Sequence, residues 1–204
     1  DRYAIEIKLE NEDPEAKEQR IRDQYLIQLN RAAQQHYSNA LYEKLETGQT
    51  NKKEPFCSQI DRFTKEEIIQ WQIGLAINDG AVYNLAGKEN RVQDYFDVGL
   101  LGQGKGQYFD IFRERVIHDK NERIVGFGAR TYSADPAKYL NTRETSIFKK
   151  GLHLYGLPFA QESMRHGIEH VIENSGTESP VKTKVLQQTA LLLEGYTDVI
   201  AFHS

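Results

Sequence analysis

The chain of 204 residues holds one cysteine, Cys57. That excludes an intrachain disulfide and any cysteine-based zinc ribbon within the chain. No apolar run approaches membrane-span length, and no basic-then-apolar leader is present. The expected setting is the cytoplasm, with no membrane partner. Positive charge is not in excess either: 26 Lys and Arg face 30 Asp and Glu, for a net charge of −4. The total does not mark a general binder of nucleic acid. The glycine-rich stretch Gly99–Gly106 lacks the lysine-serine/threonine ending of a phosphate loop, so it is expected to be a flexible connection. His166 and His170 have a zinc-compatible spacing but no third ligand or helper glutamate in an HExxH frame. They are expected to be surface or packing histidines, and no zinc is expected in this chain. There is no internal repeat and no long low-complexity segment.

What is present describes a soluble core, with 39% hydrophobic and 27% charged residues. Tyr3–Leu9 alternates weakly, as a short strand or a linker would. Asp13-Pro14-Glu15 combines an N-cap acid, proline at the first helical position and further negative charge. The helix it opens carries Ile21, Tyr25, Leu29, Ala32, His36 and Ala40, with Leu26, Ala33, Tyr37 and Leu41 beside them, to about Leu45. Gly48 is expected to close it, and a polar loop follows to Pro55. Cys57 is expected to be small and partly buried. Thr64 and Glu67 form a capping box for a helix ending near Gly74. A short helix is expected from Arg91 to Phe96. Ile111–His118 and Arg123–Phe127 are β-prone runs about the polar turn 119–122, which predicts a hairpin. Leu157–Glu173 has helical spacing, and Asn174–Lys184 is a polar loop.

Near the C-terminus, Leu191-Leu192-Leu193 leads straight into Glu194-Gly195, and Asp198 follows four residues after Glu194. A continuous apolar run suits a buried parallel strand, and a carboxylate where such a strand ends faces the ligand edge of an α/β sheet. If a helix starts at Tyr196, Asp198 can face the same crevice. Two carboxylates there suit Mg²⁺ or Mn²⁺. The pattern equally describes a buried strand whose polar end is solvated.

Charge is unevenly placed. Between Arg123 and His153 stand Arg123, Arg130, Lys138, Arg143, Lys149 and Lys150 against Asp135 and Glu144, while the first sixty residues are acidic by comparison. A solvated face is the common origin of such a run, and an electrostatic footprint for nucleic acid is the alternative. The same stretch carries motifs in order: Arg123-Ile-Val-Gly-Phe-Gly-Ala-Arg130, Lys138-Tyr-Leu-Asn141, Glu144-Thr145, Phe148-Lys-Lys-Gly151, Leu154-Tyr-Gly-Leu157 and Glu194-Gly-Tyr-Thr-Asp-Val199. From about Asp61 onward this resembles the catalytic core of bacterial replicative DNA primases, whose pattern runs RVxGFGGR, KYLNSPET, FxKG, LYGL, EGYMDV.

The resemblance implies a mixed α/β (α+β) fold: a primase-core N-terminal subdomain, with helices around a small mixed sheet, followed by the start of a TOPRIM domain. Residues 1–184 would form the first, with 1–12 as a linker leading in. Residues 185–204 would begin the second, left incomplete. It further implies a nucleotidyltransferase, a DNA-directed RNA polymerase that makes short RNA primers on single-stranded DNA. Arg130, Lys138 and Lys150 match the family's basic ridge and active-site border, Asn141 lies in the same motif, and Lys149 adjoins Lys150. Arg62 is a candidate for the ridge arginine near the capping-box helix. Glu194 matches the TOPRIM glutamate, as a metal ligand or a group acting on the attacking hydroxyl, with Asp198 as its companion and Lys150 as a catalytic cation. The implied partners are single-stranded template, nucleoside triphosphates and, through regions absent from this chain, a replicative helicase.

The chain departs from the pattern at Arg115-Val-Ile-His-Asp119, which lacks the family's proline, and at Asn141-Thr-Arg-Glu144, where arginine replaces proline. These mark a divergent member. With the later acidic pair missing, the expectation is a piece of a longer protein that is inactive alone. Two other readings remain open: a non-catalytic single-strand-binding or scaffold module derived from a primase, and another TOPRIM enzyme such as a topoisomerase or nuclease.

Overall fold

The computed structural model describes residues 13–47, 54–113, 115–118, 123–157, 160–161 and 198–200. The linker, Gly48, Glu194 and most of the expected helix and loop between 157 and 184 lie outside the described residues. Residues 157, 160 and 161 are helical, as the start of that helix requires.

Helix α1 (Pro14–Glu46) begins as its sequence dictates. Asp13 accepts a hydrogen bond from the Glu15 amide at 3.2 Å, and Pro14 occupies the first turn. Thr47 closes it, its hydroxyl donating to the Glu43 carbonyl at 2.7 Å. Over about 50 Å of rise, the buried stripe is Leu26, Leu29, Ala33, Tyr37 and Leu41. Ile21 and Ala32, expected in that stripe, are exposed. Polar residues take places on the buried face instead. Asn30 donates to the Ile124 carbonyl at 2.9 Å, and Gln34 donates to Ser38 and to the Gln72 carbonyl. Each ties the helix to a segment leading into a strand, so the helix is fastened by direction as well as by burial.

After the short helix α2 (Cys57–Ile60) comes α3 (Lys65–Gln70), opened by the full capping box: Thr64 accepts from the Glu67 amide at 3.1 Å, and Glu67 accepts from the Thr64 amide at 2.6 Å. Helix α3 stops at Gln70, and Gly74 opens strand β1 (Gly74–Ala76) rather than ending the helix. Gly74 is there because β1 runs against α1. A Cβ on Gly74 would lie 2.7 Å from the Tyr37 Cβ. Helices α4 (Ala81–Lys88) and α5 (Val92–Asp97) follow. Gly99, at φ +82°, ends α5 with the Leu100 amide donating to Tyr95 and the Gly99 amide to Phe96, the paired bonds of a Schellman motif.

The glycine-rich stretch is a hairpin, not a flexible connection. Strands β2 (Leu101–Gly104) and β3 (Gln107–Asp110) pair antiparallel around Lys105-Gly106, whose φ values are +50° and +77°. Two positive-φ residues make the two-residue turn that matches strand twist.

The second hairpin also forms, with a displaced partner. Strand β4 (Arg115–His118) pairs with β5 (Gly128–Thr131), not with residues 123–127. Residues 124–127 are buried but outside the ladder. Strand β6 (Tyr139–Asn141) completes a small sheet of order β1-β4-β5-β6, with every pairing antiparallel.

Two clusters fill the interior. The first joins α1, α4, α5 and β5 through Tyr37, Val82, Ala86, Tyr95 and Ala129, with Phe112 and Phe127 beside them. The second joins α1 to α2, α3 and β1 through Leu41, Phe56, Ile60, Trp71 and Leu75, and it receives Ile200. Cys57 is fully, not partly, buried there, and burial raises its thiol pKa. Tyr155 stacks on Trp71 at 5.6 Å. Residues 198–200 therefore dock beside Tyr155 and Gly156. No helix among the described residues is long and apolar enough to cross a membrane.

Candidate nucleic-acid interface

Alternation along a strand decides which side chains share a face. In β5, Ala129 and Thr131 are buried, so Gly128 and Arg130 point the other way. The register sets Tyr139 opposite Arg130 and Asn141 opposite Gly128. Arg130, Tyr139 and Asn141 thus share one face at the sheet's edge. The Arg130 guanidinium lies 5.6 Å from the centroid of the Tyr139 ring, and Tyr139 is 55% exposed. A cation over an exposed aromatic face gains about 0.5–1 kcal/mol, so the ring favours this placement of Arg130.

Lys138 is exposed at the start of β6, where its carbonyl accepts from the Thr131 amide at 2.9 Å. The preceding turn is braced by Asp135, which accepts from the Ala137 amide at 2.8 Å. After β6 the chain is pinned twice. The Phe127 amide donates to the Thr142 hydroxyl and the Thr142 amide to the Phe127 carbonyl, both at 2.8 Å. Thr145 and Phe148 bond reciprocally at 3.0 and 3.1 Å. This places exposed Lys149, and Lys150 at the head of the 3-10 turn Lys150–Leu152, on an anchored loop. Lys149 stands 3.9 Å from Glu144, with both side chains more than half exposed. Such a pair is worth little and is open to exchange for another anion.

Arg62 is exposed on the turn between α2 and α3, over the Phe63 ring at 5.7 Å. Gln59, three residues earlier, donates to the Thr131 carbonyl, so this turn is tied to the end of β5 beside Arg130. Arg143, which replaces the family's proline, is a structural residue. It donates to the Phe96 carbonyl at 2.5 Å and covers the Phe96 ring at 4.8 Å, so its charge meets the negative end of α5. Gly126 is closely packed: a Cβ there would meet the Phe148 ring at 3.1 Å and Thr142 at 3.2 Å, so a neighbour would have to give by a few tenths of an ångström.

Asp198 is exposed on the helical residues 198–200, next to the second cluster. Glu194 lies outside the described residues. Among the described residues no group of three or more His, Cys, Asp or Glu comes together. Asp198 is a hard oxygen donor of the kind Mg²⁺ prefers, but alone it does not make a site. Sequence reasoning passed over Tyr139, although an aromatic between lysine and asparagine on an edge strand is a usable signal. It also passed over Thr142 and Thr145, whose role needs the partners they bond.

The family model described as DNA primase catalytic core, N-terminal domain, matches residues 28–161. The DNA primase of Escherichia coli K12 is 35% identical over 142 residues, covering 67% of this chain and 21% of that protein. That of Halalkalibacterium halodurans is 36% identical over 146 residues, covering 68% and 21%. The chain thus spans about a fifth of the length of these curated relatives. Among solved structures, a DnaG primase catalytic domain bound to single-stranded DNA aligns with TM-score 0.58 at 32% identity, over 72% of this chain and 45% of that one. A DNA primase domain from Pseudomonas aeruginosa aligns with TM-score 0.59 at 32% identity, over 69% and 44%. The fold, the ordered motifs and the extent of these matches together show that the chain belongs to the bacterial DNA primases, of whose catalytic core it carries the N-terminal part.

Proposed function

We propose that this chain is the template-binding part of a DNA-dependent RNA polymerase that makes short RNA primers on single-stranded DNA. The observation that carries the reading is the edge of the sheet, where Arg130 is set against the exposed Tyr139 ring with Asn141 on the same face and Lys138 beside them. Cations in a row next to a π face suit a strand whose phosphates repeat and whose bases are unpaired. Lys149 and Lys150 on their anchored loop, and Arg62 on the α2–α3 turn tied to the end of β5, are the further cations of this reading. Lys150 adjoins the reacting triphosphate in this reading. The likeness of the chain's fold to a primase catalytic domain bound to single-stranded DNA supports it.

Glu194 and Asp198 are this chain's contribution to a TOPRIM cation site, begun at residue 185 and completed by residues outside this chain. Mg²⁺ or Mn²⁺ in such a site neutralises charge in nucleotidyl transfer. The setting is cytoplasmic replication, with nucleoside triphosphates as substrates and a helicase engaged through other regions.

The test is fluorescence anisotropy of a labelled single-stranded oligodeoxynucleotide over a salt series, with the native chain and with Arg130→Ala/Lys138→Ala. Each lost phosphate contact removes about 0.7 from the log–log salt slope for a single strand, so the double variant should lose roughly 1.4. Equal slopes for the two proteins would remove the ridge assignment. In the full-length protein, Glu194→Gln should end primer synthesis while leaving template binding intact.

A further inference from the structure

The loop that carries Lys149 and Lys150 also carries an aromatic stack. The His153 imidazole lies parallel to the Phe148 ring, with centroids 5.5 Å apart and an interplanar angle of 18°. The backbone of Gly126 packs close to the same ring: a Cβ there would meet it at 3.1 Å. Phe148 is half-buried and its main chain is bonded at both N–H and C=O to Thr145. His153 is exposed. The imidazole thus has one ring face covered by Phe148, whose main chain is bonded to Thr145 and whose ring packs against Gly126, and the other face turned to solvent.

From this layering we infer that His153, backed by Phe148, is a stacking platform for an unpaired base of the single-stranded template, with Lys149 and Lys150 holding the phosphates that flank that base. The inference rests on the template-binding reading above and adds to it a residue that engages base rather than phosphate. A flat ring already supported on one side loses little freedom when a base closes the other, and such stacking tolerates any sequence because every base has a π face. Nothing in a purely structural role for His153 requires it to be exposed, since Phe148 is already held by Thr145 and Gly126.

The test uses the whole chain at one fixed pH, with a single-stranded oligodeoxynucleotide carrying 2-aminopurine and a matched strand whose central positions are abasic. His153→Ala should weaken binding of the intact strand about fivefold or more and diminish the 2-aminopurine quenching that binding produces. His153→Phe should restore both. Neither substitution should change binding of the abasic strand. Substitution at an exposed position leaves the fold in place, which circular dichroism would verify. If His153→Ala binds as the native chain does while Arg130→Ala/Lys138→Ala is weakened, the platform is refuted and the ridge stands. If His153→Ala is weakened while the ridge variant is not, the ridge fails and the platform stands. If the native chain binds neither strand even at low salt, both are overturned.

Discussion

Replacing Gly74 with alanine probes the contact that positions the whole sheet. An ideal Cβ at Gly74 would sit 2.7 Å from the Tyr37 Cβ, 2.9 Å from the Tyr37 carbonyl carbon and 3.1 Å from the Ser38 nitrogen. Comfortable carbon contacts begin near about 3.5 Å, so the methyl overlaps by roughly 0.8 Å. Two of those three atoms are main chain in the middle of α1 and cannot swing aside. Overpacking of this kind costs about 1–3 kcal/mol, and the smaller unfolded-state entropy of alanine returns about 0.4–1 kcal/mol. The net loss should be about 1.3 kcal/mol, a fall of roughly 0.6 M in urea midpoint for a slope of about 2 kcal/mol/M. Gly87→Ala is the internal control: it lies in α4, and nothing stands within 4 Å of the added atom. That change should stabilise by about 0.5–1 kcal/mol, because alanine is the better helix former. Equilibrium urea unfolding of both variants decides the matter. A Gly74→Ala midpoint equal to the native one, at unchanged slope, would mean that β1 and α1 are not in the contact described.

Thr64→Ala removes the acceptor for the Glu67 amide and should cost about 1 kcal/mol by the same unfolding assay. Two carboxylates should give opposite pH dependences. Asp94 is opposed by burial, but bonds from Tyr25 at 2.8 Å and Arg22 at 2.7 Å outweigh it and hold its pKa below the usual value. The folded state then binds fewer protons than the unfolded, so this stability is present above the ordinary aspartate range and is lost as pH falls through the folded pKa. Asp110 is raised by burial despite accepting from the Val82 and Tyr83 amides. Its contribution is complete below the unfolded pKa and is lost as pH rises through the folded one. Urea midpoints measured against pH should show a flatter acid limb for Asp94→Asn and a flatter decline above the ordinary aspartate range for Asp110→Asn. The reverse assignment would refute both.

Local rules carried the parts of the fold that local rules govern. Asp13-Pro14 and Thr64–Glu67 were legible because each cap closes within three residues, and α5 because its length and start are set nearby. The cations of the candidate interface were legible as residue types in ordered motifs. The hairpin at Lys105-Gly106 escaped because a glycine-rich string reads as freedom until two strands are seen to meet across it.

The sequence by itself determined where α1, α3 and α5 start, which motifs stand in order and hence which family the chain joins. Those properties belong to contiguous residues. Only the tertiary structure decided that β5 is 128–131 rather than 123–127, because a strand exists by its partners and the register with β4 and β6 is set by pairing. It alone decided that Asn30 and Gln34 are buried connectors, that Arg143 caps α5, and that Arg130, Tyr139 and Asn141 share an exposed edge. Each depends on a group distant in the chain, and the energy that selects it comes from burial and hydrogen bonds formed only once the chain has folded.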